Sequence, residues 1–96
     1  MEKKKMLMFY QPMCPFCKRA FQFIEELKAE NKEFAEIEIE KIDELKEPDL
    51  ADKYDYYYVP TFYVEGKKIH EGGIYKEEMR GLLQSVINGS EFKIKA

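Results

Sequence analysis

Hydrophobic and polar residues change their spacing several times along the chain, and each change predicts a different element. Residues 5–10 form a short apolar run that ends at a proline-containing loop, which favours a buried strand. Apolar residues then recur at helical spacing from Phe16 to Leu27, so we expect a helix that ends near Asn31. Between Ala35 and Lys41 apolar residues alternate with glutamates, which predicts a half-exposed strand with both of these residues facing inward.

The second half of the chain predicts another helix, a β-hairpin and a final helix. Pro48 suits the first position of a helix. Residues 59–64 are rich in β-forming side chains, and residues 68–71 return beyond a glycine-containing turn as the partner strand. The apolar spacing from Met79 to Ile87 predicts an amphipathic helix that stops at Gly89. The order β-α-β-α-β-β-α gives an α/β fold in which a four-stranded mixed sheet is flanked by three helices.

Composition places this pattern in one globular domain. The 96 residues are 45% hydrophobic and 36% charged, which is an ordinary globular balance. The sequence contains no Gly/Ser-rich linker and no repeat, so we predict a single domain over residues 1–96. A formal net charge of −3 argues against a nucleic-acid partner, because such partners favour a basic face.

Nothing in the sequence predicts export or membrane insertion. A basic start at Lys3–Lys5 precedes an apolar stretch, but that stretch is too short for a signal peptide and is interrupted at Pro12. No segment approaches the roughly 18 apolar residues that a membrane span needs. We therefore expect a cytoplasmic protein, in which closely spaced cysteines are catalytic or metal-binding rather than structural.

The only two cysteines lie in Cys14-Pro15-Phe16-Cys17, where the first apolar run gives way to the helical pattern. Pro15 suits the first helical position, which places Cys14 at the helix cap. A helix N-terminus lowers the pKa of a thiol below its free value of about 8.5, and only the thiolate attacks disulfides. Cys17 lies one turn later on the same face and can displace whatever Cys14 has captured. The pair predicts dithiol–disulfide exchange, with Cys14 as nucleophile and Cys17 as resolving thiol.

Metal binding is the main alternative for these thiols. A closed zinc or iron–sulfur site usually needs four ligands, whereas this chain offers two cysteines and one histidine, His70, on a predicted edge strand. We therefore expect no metal, although a cluster shared between two chains stays open. A non-enzymatic binding module of the same fold is the other remaining alternative.

The element order, the Cys14–Cys17 motif and the later Val59-Pro60-Thr61 together resemble the thioredoxin superfamily over about residues 5–88. Cys-Pro-aromatic-Cys looks like the glutaredoxin active site. Residues 48–54, 59–62 and 66–68 are more similar to thioredoxin itself. The resemblance implies a thioredoxin-like fold and a small dithiol oxidoreductase that acts in cell redox homeostasis and electron transport. It also implies a redox-active Cys14–Cys17 disulfide and no bound cofactor.

The resemblance further implies a substrate site around a cis-proline at Pro60, which faces the cysteine pair in this superfamily. The backbone of Val59 would then lie beside Cys14 and pair with an extended substrate or with glutathione. Gly72-Gly73 is similar to the Gly-Gly of the glutathione site, and Met13 offers an adaptable contact surface. The candidate substrate-binding residues are Met13, Pro15, Phe16, Val59, Pro60, Gly72 and Gly73.

Two electron donors are compatible with this site. Glutaredoxins carry a basic residue three positions before the first cysteine, where this chain has Gln11, and Ile74-Tyr75 also depart from their pattern. We therefore favour a monomeric, thioredoxin-like reductant of protein disulfides, recharged by a thioredoxin-reductase-like flavoenzyme. The alternative is a glutaredoxin that is recharged by glutathione and acts on glutathione mixed disulfides.

Four tyrosines precede the candidate proline, namely Tyr54, Tyr56, Tyr57 and Tyr58. As the chain approaches a strand, about one residue in two should face the core. The outward tyrosines would border a substrate groove near Pro60. The glutamates between residues 25 and 40 are expected to face solvent, so the sequence identifies no acid that would tune the resolving thiol.

Overall fold

The computed structural model describes residues 4–90 and Phe92, and the four predicted strands form one mixed sheet within them. Its strands are β1 (Lys5–Tyr10), β2 (Glu38–Asp43), β3 (Thr61–Val64) and β4 (Lys67–Glu71). The strand order is β2-β1-β3-β4, with β1 and β2 parallel and the other two pairs antiparallel. The fold prediction is confirmed. The predicted domain of residues 1–96 includes termini outside the described residues and stays a prediction.

Four helices accompany the sheet in the described residues: α1 (Pro15–Glu30), α2 (Lys32–Ala35), α3 (Pro48–Ala51) and α4 (Lys76–Asn88). Three of them were expected, and α2 is an addition of a single turn. α3 begins at the predicted proline and is also only one turn long. α4 ends as expected at Gly89, which adopts the left-handed conformation with φ 69°.

The prediction of a strand from Ala35 with Lys41 facing inward is wrong on both points. The Asn31 side chain accepts the backbone N–H of Glu33 at 2.9 Å and caps α2, so Ala35 ends a helical turn. Phe34 and Ile37 are both buried and three residues apart, a spacing that suits a helical turn, whereas in a strand they would point to opposite faces. β2 begins only at Glu38, and Lys41 is exposed with its ammonium above the ring of Phe21.

The sheet separates two apolar clusters. Neighbouring strand residues point to opposite faces, so Met8 and Phe62 join the larger cluster, whereas Phe9 and Tyr63 join the smaller one. The larger cluster is covered by α1, α2 and α4, and the smaller one by α3 and by tyrosines. The carboxyl end of β1 leads directly into the loop before α1, and this loop carries the cysteines.

Candidate active site

The first cysteine is the N-cap of α1. Cys14 has extended backbone angles, φ −81° and ψ 117°, and its sulfur accepts the backbone N–H of Cys17 at 3.3 Å. Pro15 occupies the first turn, where its missing N–H leaves no unpaired donor. Cys14 is half-buried, and its sulfur therefore lies at the positive end of a 16-residue helix, within reach of solvent.

The second cysteine is enclosed. Cys17 is 0% exposed, and both cysteines are free thiols in this structure. Burial, followed by the side-chain hydrogen bond with Cys14, raises the pKa of Cys17 to about 12. Cys17 is therefore protonated at neutral pH.

The opposite wall of the site is the segment that contains the candidate proline. The Val59–Pro60 peptide bond is cis, as the resemblance implied. The Cys14 thiol donates to the carbonyl oxygen of Val59, with the sulfur 3.8 Å from that oxygen. Val59 and Cys14, 45 positions apart in the sequence, are thus neighbours.

Gly72 and Gly73 form the third side. The N–H of Gly72 donates to the carbonyl of Pro60 at 2.8 Å, so the end of β4 is tied to the proline segment. A Cβ atom on Gly73 would lie only 3.0 Å from Cδ1 of Phe16. Gly73 therefore packs directly against the Phe16 ring, and Phe16 stands immediately before the second cysteine.

Exposed apolar side chains flank the cysteine pair and the proline segment in the sequence. Met13 is 80% exposed and Phe16 is 54% exposed, with the guanidinium of Arg19 5.9 Å from the Phe16 ring centre. Tyr57 and Tyr58, which directly precede the proline segment, are 86% and 70% exposed. These side chains leave an apolar rim for a partner to contact.

The other two tyrosines of the group face the smaller cluster. The ring centres of Tyr54 and Tyr56 lie 4.8 Å and 5.0 Å from that of Phe9. The prediction that the group divides between core and surface is confirmed.

Sequence reasoning missed Glu44, the residue that follows β2. Its carboxylate accepts the side-chain amide of Gln11 and, at 2.6 Å, the hydroxyl of Tyr56. Burial and this bond to Glu44 raise the pKa of Tyr56, and the charge of Glu44 contributes to the raised pKa of Cys17. A usable signal exists in the sequence. Parallel strands end at one edge of the sheet, so a polar residue just after β2 belongs near the β1 loop.

The histidine considered as a metal ligand has another partner. His70 Nε2 lies 3.0 Å from the carbonyl oxygen of Gly73. Across residues 4–90 and Phe92, no three His, Cys, Asp or Glu side chains are grouped as a metal site would require. No helix in the same part of the chain combines the length and apolar character needed to cross a bilayer.

Comparison with protein families and curated proteins gives consistent matches. A family model described as Thioredoxin matches residues 1–87. Thioredoxin from Methanocaldococcus jannaschii is 33% identical over 79 residues, which is 82% of this chain and 91% of that protein.

Solved structures with this fold include two informative relatives. Oxidised thioredoxin from Plasmodium falciparum superposes with a TM-score of 0.65 at 23% identity, over 84% of this chain and 78% of that one. A protein disulfide oxidoreductase from Aeropyrum pernix gives a TM-score of 0.64 at 25% identity. This chain is covered to 96% in that match and spans 40% of the Aeropyrum protein.

Proposed function

Because the chain belongs to the thioredoxin family and is a thiol–disulfide oxidoreductase, we propose that Cys14 and Cys17 are the dithiol that carries out the exchange. The observation that supports this assignment is the contrast between the two sulfurs. Cys14 is accessible at a helix N-terminus, whereas Cys17 is enclosed one turn later with its backbone N–H on the Cys14 sulfur. Such a pair needs no bound cofactor.

The first step is attack of the Cys14 thiolate on one sulfur of a substrate disulfide. A Cys14–substrate bond forms, the substrate S–S bond breaks, and the leaving thiolate takes a proton from solvent. The Cys17 N–H and the positive end of α1 stabilise the negative charge on Cys14 before the attack.

The second step is attack of Cys17 on the Cys14 sulfur. Cys17 loses its proton, the Cys14–substrate bond breaks, and the second substrate sulfur leaves as a thiol. The substrate disulfide has then gained two electrons and two protons, and the Cys14–Cys17 disulfide has formed. Burial of Cys17 supports this order, because an enclosed, protonated thiol does not compete for external disulfides.

The substrate lies across the rim described above, with its backbone beside Val59. We assign contact with it to Met13, Pro15, Phe16, Val59, Pro60, Gly72 and Gly73. The Val59 carbonyl at 3.8 Å from Cys14 supports pairing with an extended peptide, as in strand addition. Phe16 and Met13 supply apolar contact.

The preferred substrates are disulfide-bonded proteins, and the electron donor is a thioredoxin-reductase-like flavoenzyme. The Gln11 side chain supports this choice over glutathione, because it carries no positive charge and donates to Glu44. The protein would act as a cytoplasmic monomer with one domain over residues 1–96. No nucleic acid or membrane takes part.

A coupled assay with two recycling systems tests the proposal. NADPH with a thioredoxin reductase should support reduction of a protein disulfide such as that of insulin, whereas glutathione with its reductase should support little. Turnover driven only by glutathione would identify the glutaredoxin alternative.

Two cysteine variants test the assigned roles in the same assay. Cys14→Ser should lose all measurable turnover, because the attacking sulfur is absent. Cys17→Ser should stop after the first step and accumulate one mixed disulfide per chain, visible by mass spectrometry. Activity of Cys14→Ser equal to that of the wild type would contradict the assignment.

A further inference from the structure

A single carboxylate holds the backbone just before Val59. Glu71, the last residue of β4, accepts the N–H groups of both Tyr57 and Tyr58 on its Oε2 atom, at 2.5 Å and 2.8 Å. Its other oxygen, Oε1, accepts the ammonium of Lys68 at 2.7 Å. Two consecutive backbone donors and one ammonium group therefore converge on one side chain.

Packing does little to fix the same segment. The Tyr57 and Tyr58 side chains are 86% and 70% exposed, so their rings do not anchor the backbone in the core. The carbonyl of Tyr58 accepts the hydroxyl of Thr61, which is a local bond three residues away. Among the residues that the structure describes, the carboxylate of Glu71 is thus the long-range hydrogen-bond partner of the backbone at Tyr57 and Tyr58.

This restraint acts one residue away from the site. Tyr58 precedes Val59, whose carbonyl oxygen lies 3.8 Å from the Cys14 sulfur. Just beyond Glu71, the N–H of Gly72 holds the carbonyl of Pro60 at 2.8 Å. Glu71 and Gly72, at the end of β4, therefore form hydrogen bonds with the backbone on both sides of Val59.

The carboxylate carries its charge throughout the range in which the protein would work. The hydrogen bond from Lys68, followed by that from the Tyr57 N–H, lowers the pKa of Glu71 to about 2. The contribution of a depressed carboxyl is complete above its unfolded pKa and is lost as pH falls through its folded value. The restraint is accordingly at full strength at neutral pH and fails only in strong acid.

We propose that Glu71 is a positioning residue for peptide substrates. It holds Tyr57 and Tyr58 so that the Val59 backbone and two exposed aromatic rings face an extended peptide that carries the target disulfide. This inference rests on the proposed function and adds a preference for extended peptides to it. Small disulfides that contact only the Cys14 sulfur do not depend on this positioning.

The experiment compares a peptide disulfide with 2-hydroxyethyl disulfide for four forms of the full chain, namely the wild type, Glu71→Ala, Glu71→Gln and the control Glu40→Ala. Glu71→Ala removes an acceptor of charge-assisted hydrogen bonds, so we expect KM for the peptide to rise about 5- to 10-fold. The kcat for the peptide and the rate with 2-hydroxyethyl disulfide should stay within about twofold, because the cysteines are untouched. Glu40→Ala is the matched control, since Glu40 is an exposed carboxylate on β2 at the opposite edge of the sheet.

Glu71→Gln keeps an acceptor oxygen for the two N–H groups but loses the charge. Its KM for the peptide should lie between those of the wild type and Glu71→Ala. A general loss of structure in the variants would not produce this order of KM values. This isosteric variant also serves if Glu71→Ala does not fold. In that case, a KM for Glu71→Gln equal to that of the wild type would overturn the proposal.

Two other results would also overturn it. One is an unchanged peptide KM in folded Glu71→Ala, and the other is an equal loss of rate with both substrates. Failure of the proposed function is distinguishable, because the wild-type chain would then reduce neither disulfide.

Discussion

Two segments of different construction meet at the Cys14 sulfur. The loop and first turn of α1, residues 13–17, obtain their geometry from helix capping and from a proline in the first turn. The segment of residues 56–60 has no regular secondary structure and is held by side chains from elsewhere in the fold. Glu44 accepts the hydroxyl at the start of this segment, and Glu71 accepts two of its N–H groups.

This difference assigns the reactivity of the sulfur to residues 13–17 and substrate recognition to the facing segment. The reactive sulfur needs a helix N-terminus, and residues 13–17 supply it almost entirely by themselves. The facing segment needs acceptors from residues 12 to 14 positions away along the chain. Changes in the first segment should therefore alter reactivity, whereas changes around the second should alter stability or substrate binding.

The largest expected effect that tests this contrast is the protection of Cys17 in α1 from alkylation. At pH 8 a thiol with a pKa of about 12 is ionised roughly 2000-fold less than a free thiol with a pKa of about 8.5. Iodoacetamide should therefore label Cys17 about 2000-fold more slowly in the folded, reduced protein than in urea-unfolded protein. Peptide mapping by mass spectrometry measures both rates. Equal rates in the two states would show that Cys17 is not enclosed.

A smaller effect tests the support of the facing segment. Tyr56→Phe removes the hydroxyl that donates to Glu44 at 2.6 Å and leaves the ring packed on Phe9. Because a hydrogen bond to a charged, half-buried acceptor is lost, unfolding free energy should fall by about 1–2 kcal/mol. Urea denaturation followed by circular dichroism measures it.

Tyr57→Phe is the matched control for this variant. Its ring is 86% exposed, so the change in unfolding free energy should stay within about 0.5 kcal/mol. Equal destabilisation by the two variants would contradict the role given to the Tyr56 hydroxyl.

The smallest expected effect links the two segments. Glu44→Gln removes a negative charge that helps to raise the pKa of Cys17, so that pKa should fall. The charge of Glu44 is a minor contribution beside burial, so the alkylation rate of Cys17 at pH 8 should rise by less than about tenfold. A slower rate than that of the wild type would have the wrong sign and would refute the electrostatic link.

The sequence predicts the first segment well because its determinants are local. The apolar spacing of α1, Pro15 at its start and the two cysteines are all read within one stretch of chain. The same kind of reading failed at Ala35, because the alternation with glutamates indicated a strand, whereas the chain forms one helical turn that buries Phe34 and leaves Ala35 exposed.

The facing segment was predictable only in part. Resemblance to a family supplied the cis bond at Pro60, and the alternation expected near a strand divided the tyrosines between core and surface in a general way. The bonds made by Glu44 and Glu71 depend on how the strands are aligned in three dimensions. The end of β2 does place Glu44 near the β1 loop, but no spacing rule along the chain predicts its bond to Tyr56 or the contacts of Glu71.

The close approach of Gly73 to Phe16 limits how freely the dipeptide between the cysteines can be exchanged. These two positions are 57 residues apart, yet a methyl group on Gly73 would lie 3.0 Å from the ring of Phe16. Replacing Pro15-Phe16 to retune the redox couple would also remove the ring that approaches Gly73. Any larger residue at position 73 would demand a smaller one at position 16, so we expect the two positions to covary among close homologues.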